Sequence, residues 1–128
     1  MDLVKAMTMA AKGMKAQGVR MKVISENLAN ADTTPSAPGQ DPYRRQVVTF
    51  KNEMDRSEGL RHVAVDRIEA DKSDFLIKYD PSHPAADELG YIRTPNVNSL
   101  IEMMDMREAQ RSYEANLGVI EMSRAMLM

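Results

Sequence analysis

The sequence predicts a mainly α protein with a small β segment. Long N- and C-terminal helices pair as an antiparallel coiled coil, with a proline-rich loop and short β-strands between them. Three observations predict this. Both ends carry apolar residues at alternating steps of four and three, the spacing of a helical seam. All six prolines lie between residues 31 and 98. Eleven of the twelve methionines lie outside that window, Met54 being the exception. The 128 residues therefore divide into an N-terminal helical arm (1–31), a loop and β-hairpin middle (32–98) and a C-terminal helical arm (99–128), together one structural unit.

In the N-terminal arm the seam reads Leu3, Met7, Ala10, Met14, Gln17, Met21, Ile24, Leu28, with Gln17 its one polar member. A helix over residues 3–29 is about 40 Å long at ~1.5 Å per residue. Gly13 and Gly18 each cost roughly 1 kcal/mol relative to alanine. They point to close approach of a neighbouring backbone or to weak helicity in isolation. Asp32-Thr33-Thr34-Pro35 ends the helix, because proline disfavours helical geometry at Thr34 and cannot continue the hydrogen-bond ladder.

Ser36–Pro42 is a turn-rich loop. Tyr43–Phe50, His62–Ile68 and Phe75–Tyr79 are β-leaning by composition, which suggests a small antiparallel hairpin or sheet. Glu88–Pro95 returns the chain to the second arm, where Asn96 or Asn98 is a fitting N-cap. The C-terminal seam reads Met103, Met106, Gln110, Tyr113, Leu117, Ile120, Arg124, Leu127. A second row, Leu100, Met104, Ala115, Val119, Met122 and Met126, widens the stripe, so this helix needs more than one neighbour. With the arms antiparallel, Leu3 faces Leu127, Leu28 faces Met103, and Gln17 lies near Gln110 and Tyr113. Residues 1–30 carry five bases against two acids and residues 99–128 three against five, so the arms attract. Two other readings fit the stripes, the core face of a helical bundle and, for the basic first arm, a membrane-surface helix or transit peptide.

Composition excludes several classes. Cysteine is absent, which rules out disulfides and thiolate metal sites. A net charge of -2 gives no bulk signal for nucleic acid. Apolar runs are too short for a membrane-spanning helix, and the N-terminal stretch lacks the apolar region of a cleaved secretory signal. With aromatics at 5%, a conventional core would be thin. Asp80, His83, Asp87 and Glu88 are oxygen-rich but match no metal-ligand spacing, and read as turn formers. Ser25 lies beside Glu26 and Asn27 with no histidine near in sequence. No catalytic constellation, cofactor site or metal site is expected. Arg44 and Arg45 point to opposite faces if they lie on a strand, which suits a solvated or inter-subunit salt-bridge role better than a phosphate patch.

The helix end ISENLANADTTP resembles a signature of flagellar rod and hook proteins, matched here by Ser25, Asn27, Leu28, Ala29, Asn30, Ala31, Thr33 or Thr34, and Pro35. The usual form continues directly into Gly-Tyr-Arg/Lys. Here a loop intervenes and Tyr43-Arg44-Arg45 arrives late. That insertion, with PYRRQVVTF, YDPSHPAADELGYIRTPNVN and EMMDMREAQRSYEANLGVIEMSRAM in order, resembles the proximal-rod, C-type branch of the flagellar basal-body rod family over nearly the whole chain. The resemblance implies a structural, non-enzymatic subunit of a hollow helical rod in the periplasmic part of the basal body. It implies export by the flagellar type III apparatus, and copies of itself and other rod subunits as partners. The expected subunit interface comprises Leu3, Met7, Met14, Met21, Ile24, Asn27, Leu28, Asn30, Met103, Met106, Tyr113, Leu117, Ile120 and Leu127. Asn27 and Asn30 would cap carbonyls and accept from neighbouring chains, and methionines would adapt to non-equivalent neighbours. The competing readings are a soluble coiled-coil adaptor or export partner, and an enzyme built on the acidic middle.

Overall fold

A computed structural model describes residues 2–57 and 59–128. Two long helices carry the chain's ends. Helix α1 spans Leu3–Ala29. Asp2 caps it by accepting the Lys5 N–H at 2.7 Å, which satisfies one of the free first-turn donors. At its other end the Asn30 backbone N–H bonds back to Glu26 O and Asn27 O. The Asn30 side-chain Nδ2 also donates to Glu26 O at 2.8 Å. Helix α2 spans Ser99–Leu127, and Asn98 Oδ1 accepts the Leu100 and Ile101 N–H groups.

The two helices run antiparallel. Three contacts fix direction and register: the Asn27 amide reaches Glu102 at 3.4 Å, Arg20 meets Glu108 at 3.7 Å, and Asn116 packs against Gly13. By these contacts Leu28 lies level with Ile101, two residues from the expected Met103. The seam itself is rotated. On each helix one expected row is kept (Ala10, Gln17, Ile24; Met106, Tyr113, Ile120). The other moves one residue towards the N-terminus. In that row Gly13 lies against Asn116, Arg20 reaches Glu108 and Asn27 meets Glu102. Each of these pairs combines positions of different size or polarity, and Asn27, Glu102, Ala109 and Ser123 are buried. Small residues let the helices approach closely, which the methionine row would prevent.

Among the described residues four strands form two separate hairpins. Strand β1 (Gln46–Asp55) pairs antiparallel with β2 (Leu60–Ala70), from Gln46↔Ala70 to Asp55↔Leu60, with a register shift between Thr49 and Phe50. Strand β3 (Leu76–Tyr79) pairs with β4 (Tyr91–Thr94). The sequence started the first strand three residues early and ended it five early; the start is displaced because Tyr43, Arg44 and Arg45 are taken up by tertiary contacts. The long hairpin lies against α1 and leaves two open clefts of about 650 and 690 Å³ along it. Gly90, at φ 88°, shapes the return into β4, where an added Cβ would stand 2.9 Å from the Tyr79 ring.

The apolar core consists of Ala10, Ala16, Val23, Ile24, Leu60, Ala85, Ile92, Val97 and Ala109, so small side chains dominate it. The helical glycines differ in their surroundings. A Cβ on Gly18 or Gly118 meets nothing within 4 Å, whereas on Gly13 it would stand 2.7 Å from Asn116 Nδ2. Gly18→Ala is therefore expected to stabilise the isolated chain by about 1 kcal/mol, and Gly13→Ala by less, because Asn116 must move. Urea midpoints of the two variants check this, and equal gains would show that Asn116 is not held against Gly13.

Candidate functional site

The residues that tie the arms to the middle form a buried polar junction. Asn27, in the last turn of α1, is 1% exposed. Its Nδ2 donates to Gln46 O at 2.8 Å and to Glu102 Oε2 at 3.4 Å. Its Oδ1 accepts from the Tyr43 hydroxyl at 2.7 Å and from the Gln46 N–H at 2.9 Å. The amide thus uses both donors and accepts twice, all within the chain. It holds both polar groups of the Gln46 backbone, as a neighbouring strand would, and starts β1 at that residue. The helix-end asparagine expected to accept from a neighbouring subunit is oriented inward.

Asn96 holds the next residue from the other side. Its Oδ1 accepts the Arg45 N–H at 2.7 Å, and its Nδ2 donates to Asp71 O, Ser73 O and Ser73 Oγ, each at 3.1 Å. The Arg45 guanidinium then bridges three acids. It pairs with Glu102 through Nε, with Asp71 at 3.1 Å and with Asp105 at 3.6 Å. Arg44 lies 4.0 Å over the Phe75 ring and donates to Asp71 O and Ser73 O at 2.8 Å each. The expected solvated or inter-subunit role for these two arginines is therefore corrected. They precede the strand, and both are committed inside the chain to partners brought near only by folding.

The electrostatics follow from this packing. The Ser73 backbone N–H, with further help from Arg45, holds the Asp71 carboxyl below its ordinary pKa. Burial raises the Tyr43 phenol, helped by the negative Glu26 and Glu102, so it remains a donor to Asn27. Burial disfavours the Arg45 charge, but Glu102 and Asp71 outweigh it and raise its pKa. Among the described residues no buried side-chain polar atom lacks a partner.

The acidic turn in the middle segment forms local bonds. Asp87 Oδ1 accepts the Leu89 and Tyr91 N–H groups, and Asp80 accepts from Ser82. His83 Nδ1 accepts the Ala85 N–H at 2.9 Å, which places the proton on Nε2, 3.0 Å from Thr34 Oγ1. That bond ties the turn to the helix-end signature. Among the described residues no three His, Asp or Glu side chains group as a metal site, and no helix is long and apolar enough to cross a membrane.

The expected interface residues fall into two groups. Ile24 and Asn27 are buried; Leu3, Met7, Met14, Met21, Leu28, Asn30, Met106, Tyr113 and Ile120 are half-buried. Met103 and Leu127 are each 55% exposed, and Leu117 is also exposed. Sequence reasoning gave Arg45 a solvated or inter-subunit role and Asn96 only a possible capping one, and it missed Asp71 and Glu102. The available signal was Glu102 itself, the acidic residue in the first turn of α2.

Glu102→Ala leaves Arg45 and Asn27 without their shared partner. The expected loss is about 3 kcal/mol, the low end for breaking a buried pair, since Arg45 keeps Asp71 and Asp105. Denaturant unfolding checks it; a loss no larger than that of the exposed Glu88→Ala would remove the junction from its structural role. Asp71 has its native pKa depressed, so its contribution is present above the unfolded carboxylate pKa and is lost as pH falls through the native one. Stability therefore drops on the acid side, below about pH 4. Asp71→Asn is expected to flatten that part of the profile while leaving its shape near neutrality unchanged.

Comparison with known proteins places these features in a family. Residues 7–35 match the family model described as flagella basal body rod protein. Residues 88–128 match the one described as flagellar basal body rod FlgEFG protein C-terminal. The chain is 50% identical to a flagellar basal-body rod protein FlgC of Agrobacterium fabrum, over 93% of this chain and 86% of that protein. It is 40% identical to a FlgC of Borreliella burgdorferi, over 98% and 93%, and 33% identical to one of Salmonella typhimurium, over 100% and 95%. The matched segments contain both halves of the junction, Asn27 on one side and Asn96 and Glu102 on the other. The chain thus belongs to the flagellar basal-body rod protein family and is a structural subunit of that rod.

Proposed function

We propose that the chain builds the proximal part of the rod, assembling with copies of itself and other rod subunits into a hollow helical shaft that transmits torque. In this reading the flagellar type III apparatus exports it without signal cleavage. Its helix pair works as an antiparallel coiled coil, and the proline-bearing connection over 32–42 turns the chain outward from it. The role is structural rather than catalytic, and nucleic acid is not a partner.

One observation carries this reading. The interior is built largely of small side chains, while large apolar residues cover the outside of α2. Leu100 is 67% exposed, Met104 62%, Met122 64% and Met126 65%. Isolated exposed apolar residues are ordinary, but a helix bearing them along its length calls for neighbours. Methionine fits such a surface because its unbranched thioether repacks against non-equivalent partners. Met7, Met14, Met21 and Leu28 lie beside the interhelical seam and, with Leu3, Met103, Met106, Tyr113, Leu117, Ile120 and Leu127, supply the subunit contacts. Ile24, Asn27 and Asn30 shape them from within, through packing and the helix end.

Residue-resolved hydrogen exchange on the purified chain and on assembled basal bodies tests this. Amides of 3–29 and 99–127 are expected to exchange faster in the dilute chain and to become protected on assembly, because isolated helices are marginal in water. Equal protection in both states would favour a self-contained coiled-coil adaptor and count against these helices as subunit contacts.

A further inference from the structure

Each helix carries one glycine that its own chain leaves uncovered. A Cβ built on Gly18 or on Gly118 meets no atom within 4 Å. Both lie well inside long helices, where glycine is the most costly residue after proline, and no contact within the chain calls for it. The charges around the two are matched. Lys15 and Lys22 lie three residues before and four after Gly18, and Glu114 and Glu121 lie four before and three after Gly118. Residues at these spacings share one helix face. All four side chains are exposed, and among the described residues none of them forms an ion pair within the chain. Lys15 stands at the rim of the cleft beneath the hairpin tip. The Gly18 face continues through Val4 and Ala11, both exposed. It is distinct from the row Gly13, Arg20, Asn27 that meets α2 of the same chain.

We propose that the Gly18 face of α1 in one copy docks antiparallel on the Gly118 face of α2 in a second copy. The glycines sit at the crossing, Lys15 lies beside Glu121, and Lys22 lies beside Glu114. Only the antiparallel direction aligns both ion pairs without offset; a parallel one displaces each by a residue. Two glycines at a crossing remove the side chains that normally hold helix axes 8–10 Å apart, which brings the flanking charges within reach. The two faces differ, so the contact is heterologous. After one such contact each copy keeps one face unused, a Gly118 face on the first and a Gly18 face on the second, so the contact propagates rather than closing on a dimer. This inference rests on the rod-subunit reading and specifies which faces meet.

The test is a charge exchange in cells lacking the native copy. The unaltered chain supplied in trans must first restore rods and swimming; its failure would strike the rod-subunit reading itself. With that in place, K15E with K22E, and separately E114K with E121K, are each expected to cut assembled rods about tenfold or more, since like charges now face each other. Circular dichroism matching the unaltered chain shows that they still fold. A chain carrying all four substitutions is expected to recover rods, because both pairs are restored with their signs exchanged. No recovery in the fourfold variant would overturn the proposal, as would unchanged assembly in both double variants. The absence of cysteine allows a second readout. Oxidised basal bodies containing the Gly18→Cys, Gly118→Cys chain are expected to give a ladder of linked copies, and no ladder would equally overturn the contact.

Discussion

The fold depends on one constraint: the carboxylate of Glu102 is buried and must be matched. Glu102 sits at 1% exposure in the first turn of α2, where the free N–H groups of the helix favour negative charge. That alone is insufficient for a buried carboxylate. Arg45 supplies the counter-charge and Asn27 an amide donor. Arg45 and Gln46 are in turn held by Asn96 and Asn27 through their backbones. Four distant stretches, around residues 27, 45, 71 and 96–102, must meet for any one of them to be satisfied. Such a cluster is a modest source of net stability, because desolvation cancels much of the attraction. Its strength is in excluding alternatives. A helix pair displaced along its axis would part the buried Glu102 carboxylate from the buried Asn27 amide.

This division of labour explains the unusual arrangement of the helices. The interhelical row is small and polar, with Gly13, Ala109, Asn116 and Ser123 among its members, so it contributes little apolar burial. The large apolar residues are outside. In a self-sufficient bundle the two sets would change places. Inside the chain, geometry is set by polar matching; in the proposed reading, adhesion outside it comes from the exposed apolar surface. A rod protein needs both, since its own shape must be definite while its neighbours differ.

Much of this was legible in the sequence, and the failures have particular causes. The limits of α1 and α2 followed from heptad spacing, Pro35 and the capping asparagine, all local features. The seam was one residue out because periodicity arguments look for apolar side chains. Met7, Met14 and Met21 form a better apolar row than Ala6, Gly13, Arg20 and Asn27, yet the latter is the row that meets α2. Arg45 escaped because its partners Asp71 and Glu102 lie 26 and 57 positions later. No local rule connects positions so far apart. The split of the middle into two hairpins was hidden for the same reason, since strand propensity says nothing about which strand pairs with which.

The long hairpin has a consequence of its own. It begins at Gln46 and ends at Ala70, and those two residues are paired with each other. The chain therefore leaves the buried junction and returns to it through a single doorway, while the hairpin between runs along α1. Residues can be added or removed at the far tip, near Ser57, while the doorway keeps its width and position. Insertions there lengthen the hairpin and leave the pairing at the junction as it is. The hairpin is thus a ladder on a constant hub, its number of rungs free to vary.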